Sequence, residues 1–396
     1  MSRTLNLPYH EEIRHYLTEQ RFPLYLSKPV FEHLIHFMDA VTQKGFSGTL
    51  TDVHTLSRER RHRTTLSHFL HRGVWDEQWM QRHLNQRSLR KIQQHAKRTG
   101  LPIYAILDDS VCEKTKPSSR AMSAIQQADF HFSHGKGGPV WGHQVVVLLL
   151  RCGDRCLPFA FRRYDKSGVG KIALACELLE TLPVFEHPTY LLMDSWYTSV
   201  KIVDLASTKG LQVIGGLKTN RILFPQGIRI PGSAFAGHIR KADTRLVTVG
   251  NASYRVFRYE GALNGIANAV VLLTWPEDSF GHPSTLRYYL STDVSLDEEE
   301  ILMRYANRWA IETFFQQMKG KYAFDRYRIR SVRAIERFWI LLLLTFFYCA
   351  ETGSGDESLG LKRIRHRREH GLLDWIYHQF QQAVPLKQVK EQLNIA

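Results

Sequence analysis

The chain has 396 residues, 43% hydrophobic and 23% charged, a globular balance that excludes collagen, coiled coil and wholesale disorder. At ~150 residues per domain, that length accommodates two or three domains. Lys and Arg number 53 against 38 Asp and Glu, a formal net charge of +15. Such an excess favours a polyanionic partner, nucleic acid first and an acidic membrane surface second.

The first hundred residues read as helical. Phe31, Leu34, Ile35 and Met38 recur at helical spacing. A basic run, RERRHR (58–63), leads into a short amphipathic segment from Thr64 to Arg72, with Leu66, Phe69 and Leu70 apolar and Gly73 as its stop. This pair is expected to read DNA in the manner of a helix-turn-helix, the alternative being a solvated charged face. A longer polar helix runs from Asp76 to Thr99 and ends at Gly100-Leu101-Pro102.

At Leu101 the texture changes. IYAILDDS, HQVVVLLLRC (143–152) and RCLPFAFRR (155–163) read as strands, the last two joined by a Gly153-Asp154 hairpin. Gly170 to Leu182 is a helix, PTYLLMD (188–194) a strand ending in an acid, SVKIVDLASTKG a helix and LQVIGGL a strand. Three strands, helix, strand, helix, strand is the order of an RNase H-like sheet. Residues 221–285 alternate apolar residues with Gly and Pro, as a β-rich insertion, and LRYYLSTD (286–293) returns the chain to the main sheet. A helical region capped by Ser295 or Asp297 extends to about Ala350; ETGSGDESLG breaks it, and a basic helical tail follows. The expected fold is α/β, an RNase H-like catalytic core with a β-rich insertion, preceded by an α-helical N-terminal domain. Its parts are a DNA-binding domain (1–100), the core (101–220 and 286–350), the insertion (221–285) and the tail (351–396).

Five cysteines without a CxxC read as reduced thiols. The first residues lack the apolar stretch of a secretory signal. The longest apolar run, Phe338 to Ala350, is shorter than the ~18 residues of a membrane span and reads as a core helix. His131, His134 and His143 supply only HFSH, without a second ligand pair. SHGKGG (133–138) lacks the order of a phosphate-binding P-loop.

Two strands end in acids: Asp108 and Asp109 close the first, Asp194 the fourth. Ligands of open α/β sheets sit at such carboxyl ends, and magnesium takes carboxylate oxygen. Asp is also common after strands as a turn former. Further on, Tyr305, Arg308, Glu312 and Lys319 lie on one expected helix, within an arc of roughly 60°. An ordinary surface helix with an i,i+4 pair would look the same. Trp196 and Trp275 are candidates to stack on an unpaired base, with a core role as the alternative.

Together these residues resemble the bacterial insertion-sequence transposases of the DDE class. YANRWAIETFFQQMK (305–319) carries the Tyr-x2-Arg-x3-Glu-x6-Lys signature, MDSWYTS (193–199) resembles the second-acid segment and LDDSVCEK (107–114) the first, with Ser110 in place of Thr. The acids follow in the right order, 85 and 118 residues apart, and the resemblance covers roughly 101–350. It implies Asp109, Asp194 and Glu312 as catalytic, metal-binding residues, with Asp108 as rival for the first place. Mg2+ or Mn2+, two ions, would be the cofactor. Tyr305, Arg308 and Lys319 become contacts to element-end DNA, with Lys114 and Lys218 as further phosphate contacts. The implied reaction cleaves DNA at terminal inverted repeats and joins the 3′-OH to target DNA by two-metal phosphoryl transfer. The partner is double-stranded DNA, the active form a homodimer, the place the bacterial cytoplasm beside the nucleoid, with no membrane. The alternatives are an inactive transposase-derived DNA-binding protein and an RNase H-like nuclease without strand transfer.

Overall fold

The computed structural model describes residues 10–56, 62–118, 125–352 and 360–392. Most of the basic run 58–63 and of the 351–360 break lies outside them. In chain order the elements are α1 (His10–Glu19), α2 (Lys28–Thr42), α3 (Leu50–Leu56), α4 (Arg63–His71), α5 (Glu77–Thr99), β1 (Ile103–Glu113), β2 (Asp129–Ser133), β3 (Gly138–Cys152), β4 (Arg155–Tyr164), α6 (Lys171–Glu180), β5 (Thr189–Met193), α7 (Val200–Thr208), β6 (Gln212–Leu217), β7 (Ile222–Leu223), β8 (Ile230–Pro231), α8 (Gly232–Ala236), β9 (Arg245–Val249), β10 (Ala252–Leu263), β11 (Ile266–Pro276), β12 (Arg287–Ser291), α9 (Glu298–Ala306), α10 (Trp309–Lys321), α11 (Val332–Thr352), α12 (Gly360–Gln381) and α13 (Leu386–Gln392). The fold is mixed α/β with a mostly antiparallel sheet.

The chain forms two compact units, one of Met1–Leu84, Val111–His143 and Phe314–Ala396, the other of Asn85–Ser110 and Gln144–Thr313. The first is chiefly helical. Its centre is α11, whose side chains from Phe338 to Ala350 are all buried, against α2, α4 and α12. The apolar run is therefore a core helix, and no described helix is long and apolar enough to cross a membrane. Arg337 on α11 is fully buried; it donates to the carbonyls of Phe69, Leu70, Gly73 and Trp75 and pairs with Glu77 at 2.8 Å. It thereby satisfies carbonyls at the end of α4, which a helix leaves without internal partners. In the same unit β2 pairs with the start of β3 around the SHGKGG turn; the sequence pattern did not separate this short strand from a loop.

The second unit holds the larger sheet. β1, β5 and β6 run parallel, β5 reaching β6 through α7, while β3 and β4 form an antiparallel hairpin closed at Cys152 and Arg155. Gly153 in that turn has φ +57, which a side chain resists. β6 continues through β12, β11 and β10, all antiparallel, so the β-rich stretch extends the sheet. α9 opens with a capping box: Asp297 accepts from the Glu300 amide and Glu300 from the Asp297 amide. Ser295, the other candidate cap, bonds to Asp293 instead.

Candidate active site

Asp108, Asp109, Asp194 and Glu312 all belong to the sheet unit. The first two lie inside β1, just past its pairing with β5; the strand runs on to Glu113 and does not close at them as expected, whereas Asp194 directly follows the last residue of β5. Asp194 Oδ1 accepts the Trp196 and Tyr197 amides, and its carbonyl accepts the Thr198 hydroxyl. These bonds fold the chain tightly after β5. β6 must pass close by, and here its glycines matter: a Cβ on Gly215 would lie 2.5 Å from Thr198 Oγ1, and one on Gly216 3.2 Å from the Tyr305 hydroxyl.

The signature is not one continuous helix. α9 ends at Ala306 and α10 begins at Trp309. Between them the amides of Asn307, Arg308, Ala310 and Ile311 each bond to the carbonyl three residues back, a tighter winding than α. The even 100° step assumed from the sequence is therefore interrupted, and Arg308 sits in the joint. From there its guanidinium reaches Asp108 Oδ2 at 3.3 Å and Glu312 Oε1 at 2.6 Å. Tyr305 packs on Tyr289, with centroids 4.7 Å apart, beneath the Arg308 guanidinium.

Asp109 has other partners. Its Oδ1 accepts the Tyr197 hydroxyl at 2.7 Å and the Lys171 ammonium at 3.2 Å, and its Oδ2 accepts the Gln144 amide. Lys171, Tyr197 and Gln144 had no role in the sequence reading. Lys171 is the first residue of α6, where the helix dipole disfavours a cation. Tyr197 lay unassigned inside the MDSWYTS segment.

Electrostatics tie the acids together. Burial first, and Asp194 next, push the Asp108 carboxyl up to about 7. Burial and then Asp109 raise the Tyr197 phenol far above its usual range, with Asp108 and Asp194 adding to the effect. Burial also lifts Tyr305 to about 12. An all-oxygen donor set on crowded carboxylates suits a hard divalent cation. Among the described residues no three His, Cys, Asp or Glu side chains close into a metal-holding group. Arg308 and Lys171 engage the acids instead.

The basic candidates separate. Lys218 is exposed, its ammonium 4.9 Å from the Trp196 ring, with Lys171 4.7 Å from the same ring. Trp196 is 52% exposed, whereas Trp275 is 2% exposed and belongs to the core. Lys319, in the helical unit, gives one bond to the Val111 carbonyl at 2.8 Å. Lys114 is held within the helical unit. It donates to the Asp325 and Tyr327 carbonyls, lies 3.4 Å from the Tyr327 ring centre, and burial lowers its pKa to about 8. Two of its three N–H groups are thereby given to backbone carbonyls, so the ammonium acts as a brace. His143 is likewise internal, between the Tyr327 hydroxyl and the Gln126 carbonyl.

A family model described as a transposase DDE domain matches residues 106–347, more than half of the chain and inclusive of all four acids. No curated protein matches the sequence.

Proposed function

Because the chain belongs to the transposase DDE-domain family, we propose that it is the transposase of an insertion sequence. It binds the terminal inverted repeats of its own element, cuts DNA at those ends and joins the freed 3′-hydroxyl to target DNA. The observation that carries this reading is the Arg308 guanidinium, 3.3 Å from Asp108 and 2.6 Å from Glu312, with Asp194 acting on the same Asp108 carboxyl. Acids distant in sequence meet at one cation. In this reading β1, β3–β6 and β12 with the flanking helices are an RNase H-like core, and β7–β11 are its insertion.

The chemistry is two displacements at phosphorus. In the first, a water oxygen bonds to phosphorus as the P–O3′ bond breaks; water gives up a proton and the departing oxygen becomes a hydroxyl. In the second, that hydroxyl attacks a target phosphodiester, loses its proton, and the target's own 3′ oxygen departs and takes one up. Magnesium or manganese, two ions in this reading, supplies Lewis-acid polarisation when bound; Asp109, Asp194 and Glu312 would hold it, with Asp108 as rival to Asp109. Arg308 orients the DNA. Its buried Nε–H has no acceptor among the described residues, which leaves a donor for a phosphate oxygen. Tyr305 supports that guanidinium, Lys218 contacts a phosphate, and Lys319, in the helical unit, keeps N–H groups for a phosphate contact of its own. The protein works as a homodimer on double-stranded DNA in the cytoplasm.

The test is cleavage of a duplex carrying the element's end, with magnesium, by the wild type and by Glu312→Gln. The variant preserves shape and removes charge; cleavage should fall at least ~1,000-fold while end binding stays within about threefold. Wild-type cleavage by the variant sinks the assignment. Binding without cleavage by the wild type would mark an inactive DNA-binding descendant, and cleavage without joining of a precut end would mark a nuclease.

A further inference from the structure

Two side-chain cations are attached to the acids, Arg308 to Asp108 and Glu312 and Lys171 to Asp109, and they are not alike. Arg308 is planar, rooted in the α9–α10 joint and bonded to two acids. Lys171 is a point charge on a flexible stem. Its ammonium is 3.2 Å from Asp109 Oδ1, with both partners mostly buried at 17% and 13% exposure. The same ammonium lies 4.7 Å from the centre of the exposed Trp196 ring, a second favourable seat for a cation. Leaving Lys171 out does not leave Asp109 without partners, because Tyr197 and Gln144 still donate to it. The local helix argues against a stabilising purpose, since the first residue of α6 is where a cation costs rather than contributes. Charge completes the picture. The carboxyl groups outnumber the attached cations four to two, and each side-chain cation that departs makes room for further positive charge from outside.

We propose that Lys171 is a resident counter-cation at Asp109 that a divalent ion displaces, with the Trp196 indole face receiving the ammonium as it leaves. The inference rests on the reading of Asp109 as a metal ligand. Two consequences follow by mass action. Lys171 weakens metal binding in the absence of DNA, because the ion must compete with an ammonium already in place. Once displaced, that ammonium is free to meet a DNA phosphate, so ion loading and DNA engagement favour each other.

Mn2+ alone is the probe, titrated into the full chain without DNA and followed by the loss of free-ion paramagnetic resonance signal. Lys171→Met should bind Mn2+ more tightly than wild type, by a factor on the order of ten for removal of one nearby like charge. Lys171→Gln, which retains a donor without the charge, should do the same, and Lys171→Arg should stay within about twofold of wild type. Thermal melts with and without Mn2+ report whether each variant folds and give a second measure of the same affinity. Unchanged or weaker Mn2+ binding in both neutral variants, with Asp109→Asn still weakening it, overturns the displacement and leaves the metal site standing. No effect of either Asp109→Asn or Asp194→Asn sinks the metal reading itself, and the displacement with it.

Discussion

Adjacent residues on a strand face opposite ways, and Asp108 and Asp109 accordingly have different company. Asp108 meets Arg308 and, through it, Glu312; Asp109 meets Tyr197, Lys171 and Gln144. The motif puts Asp109 first because it directly precedes the hydroxyl of Ser110, whereas the ion-pair geometry draws attention to Asp108. Separate substitutions decide. Asp109→Asn should cut end cleavage at least ~1,000-fold, and Asp108→Asn by roughly 10- to 100-fold through loss of Arg308 placement. The opposite ranking would transfer the first role to Asp108. The acids stood out in the sequence because each lies in a short contiguous motif. Lys171 was not, because its contact with Asp109 spans 62 residues and is made by the fold. The bracing contacts of Lys114 were hidden for the same reason, since the carbonyls that engage it come from Asp325 and Tyr327, more than 200 residues away.

At the scale of elements, strands and helices followed local pattern closely, and the differences arose where tertiary contact set the geometry. The apolar runs that marked β1, β3, β5 and β6 are buried on both sides over most of their length, so composition alone identified them. The joint between α9 and α10 was invisible because neither Gly nor Pro marks it. It is a change in winding, held in part by the Asn307 side chain on the Met303 and Arg304 carbonyls. The Gly215–Gly216 pair is the reverse case, a plain signal whose reason only the structure gives. Gly215→Ala must push Thr198, whose hydroxyl pins the Asp194 carbonyl at 2.9 Å. Its expected result is a loss of ~10-fold or more in cleavage, with end binding kept, read in parallel assays; unaltered cleavage would show that the turn tolerates displacement.

Glu77 and Arg337 make an element-scale statement about stability. Burial alone would raise the Glu77 carboxyl, but hydrogen bonds from Arg333 and Arg337 outweigh it and hold the pKa down at about 2, against an ordinary 4.5. A depressed carboxylate contributes stability that is fully present above the unfolded value and is lost as pH falls through the folded one. The window is therefore from about pH 4.5 down to about pH 2. Glu77→Gln should lower stability near pH 7 by about 2 kcal/mol, since it leaves a buried guanidinium short of its counter-charge. It should also flatten the acid limb of a denaturation series across that window. A wild-type slope there in the variant would show that the pair contributes nothing net.

For the whole molecule, the question is where a chain with a net charge of +15 reads its DNA. Charge supplies affinity for any duplex, and sequence reading needs a rigid element presented to a groove. α4 is such an element. Leu66, Phe69 and Leu70 are buried, and it packs on α2 and α11 with Arg337 at its C-terminal end. Arg63, Thr64, Thr65, His68 and Arg72 stay exposed. The burial has a consequence for experiment: an isolated 1–100 fragment would lose α11 and expose the apolar side of α4, so the full chain is the proper material. With Arg63→Ala and Arg72→Ala combined, binding to the element's ends should weaken roughly 10- to 100-fold at moderate salt. The slope of affinity against salt should become shallower by about two phosphate contacts. Sequence reading by α4 adds a second requirement, a change in preference. Thr65→Ala should reduce the ratio of end to random-duplex binding by about 1–2 kcal/mol while leaving random binding alone. If both substitutions weaken ends and random duplex equally, α4 contributes charge only, and the search for the reading element moves to the β7–β11 region and to the basic face of α12 around Arg363 and Arg367.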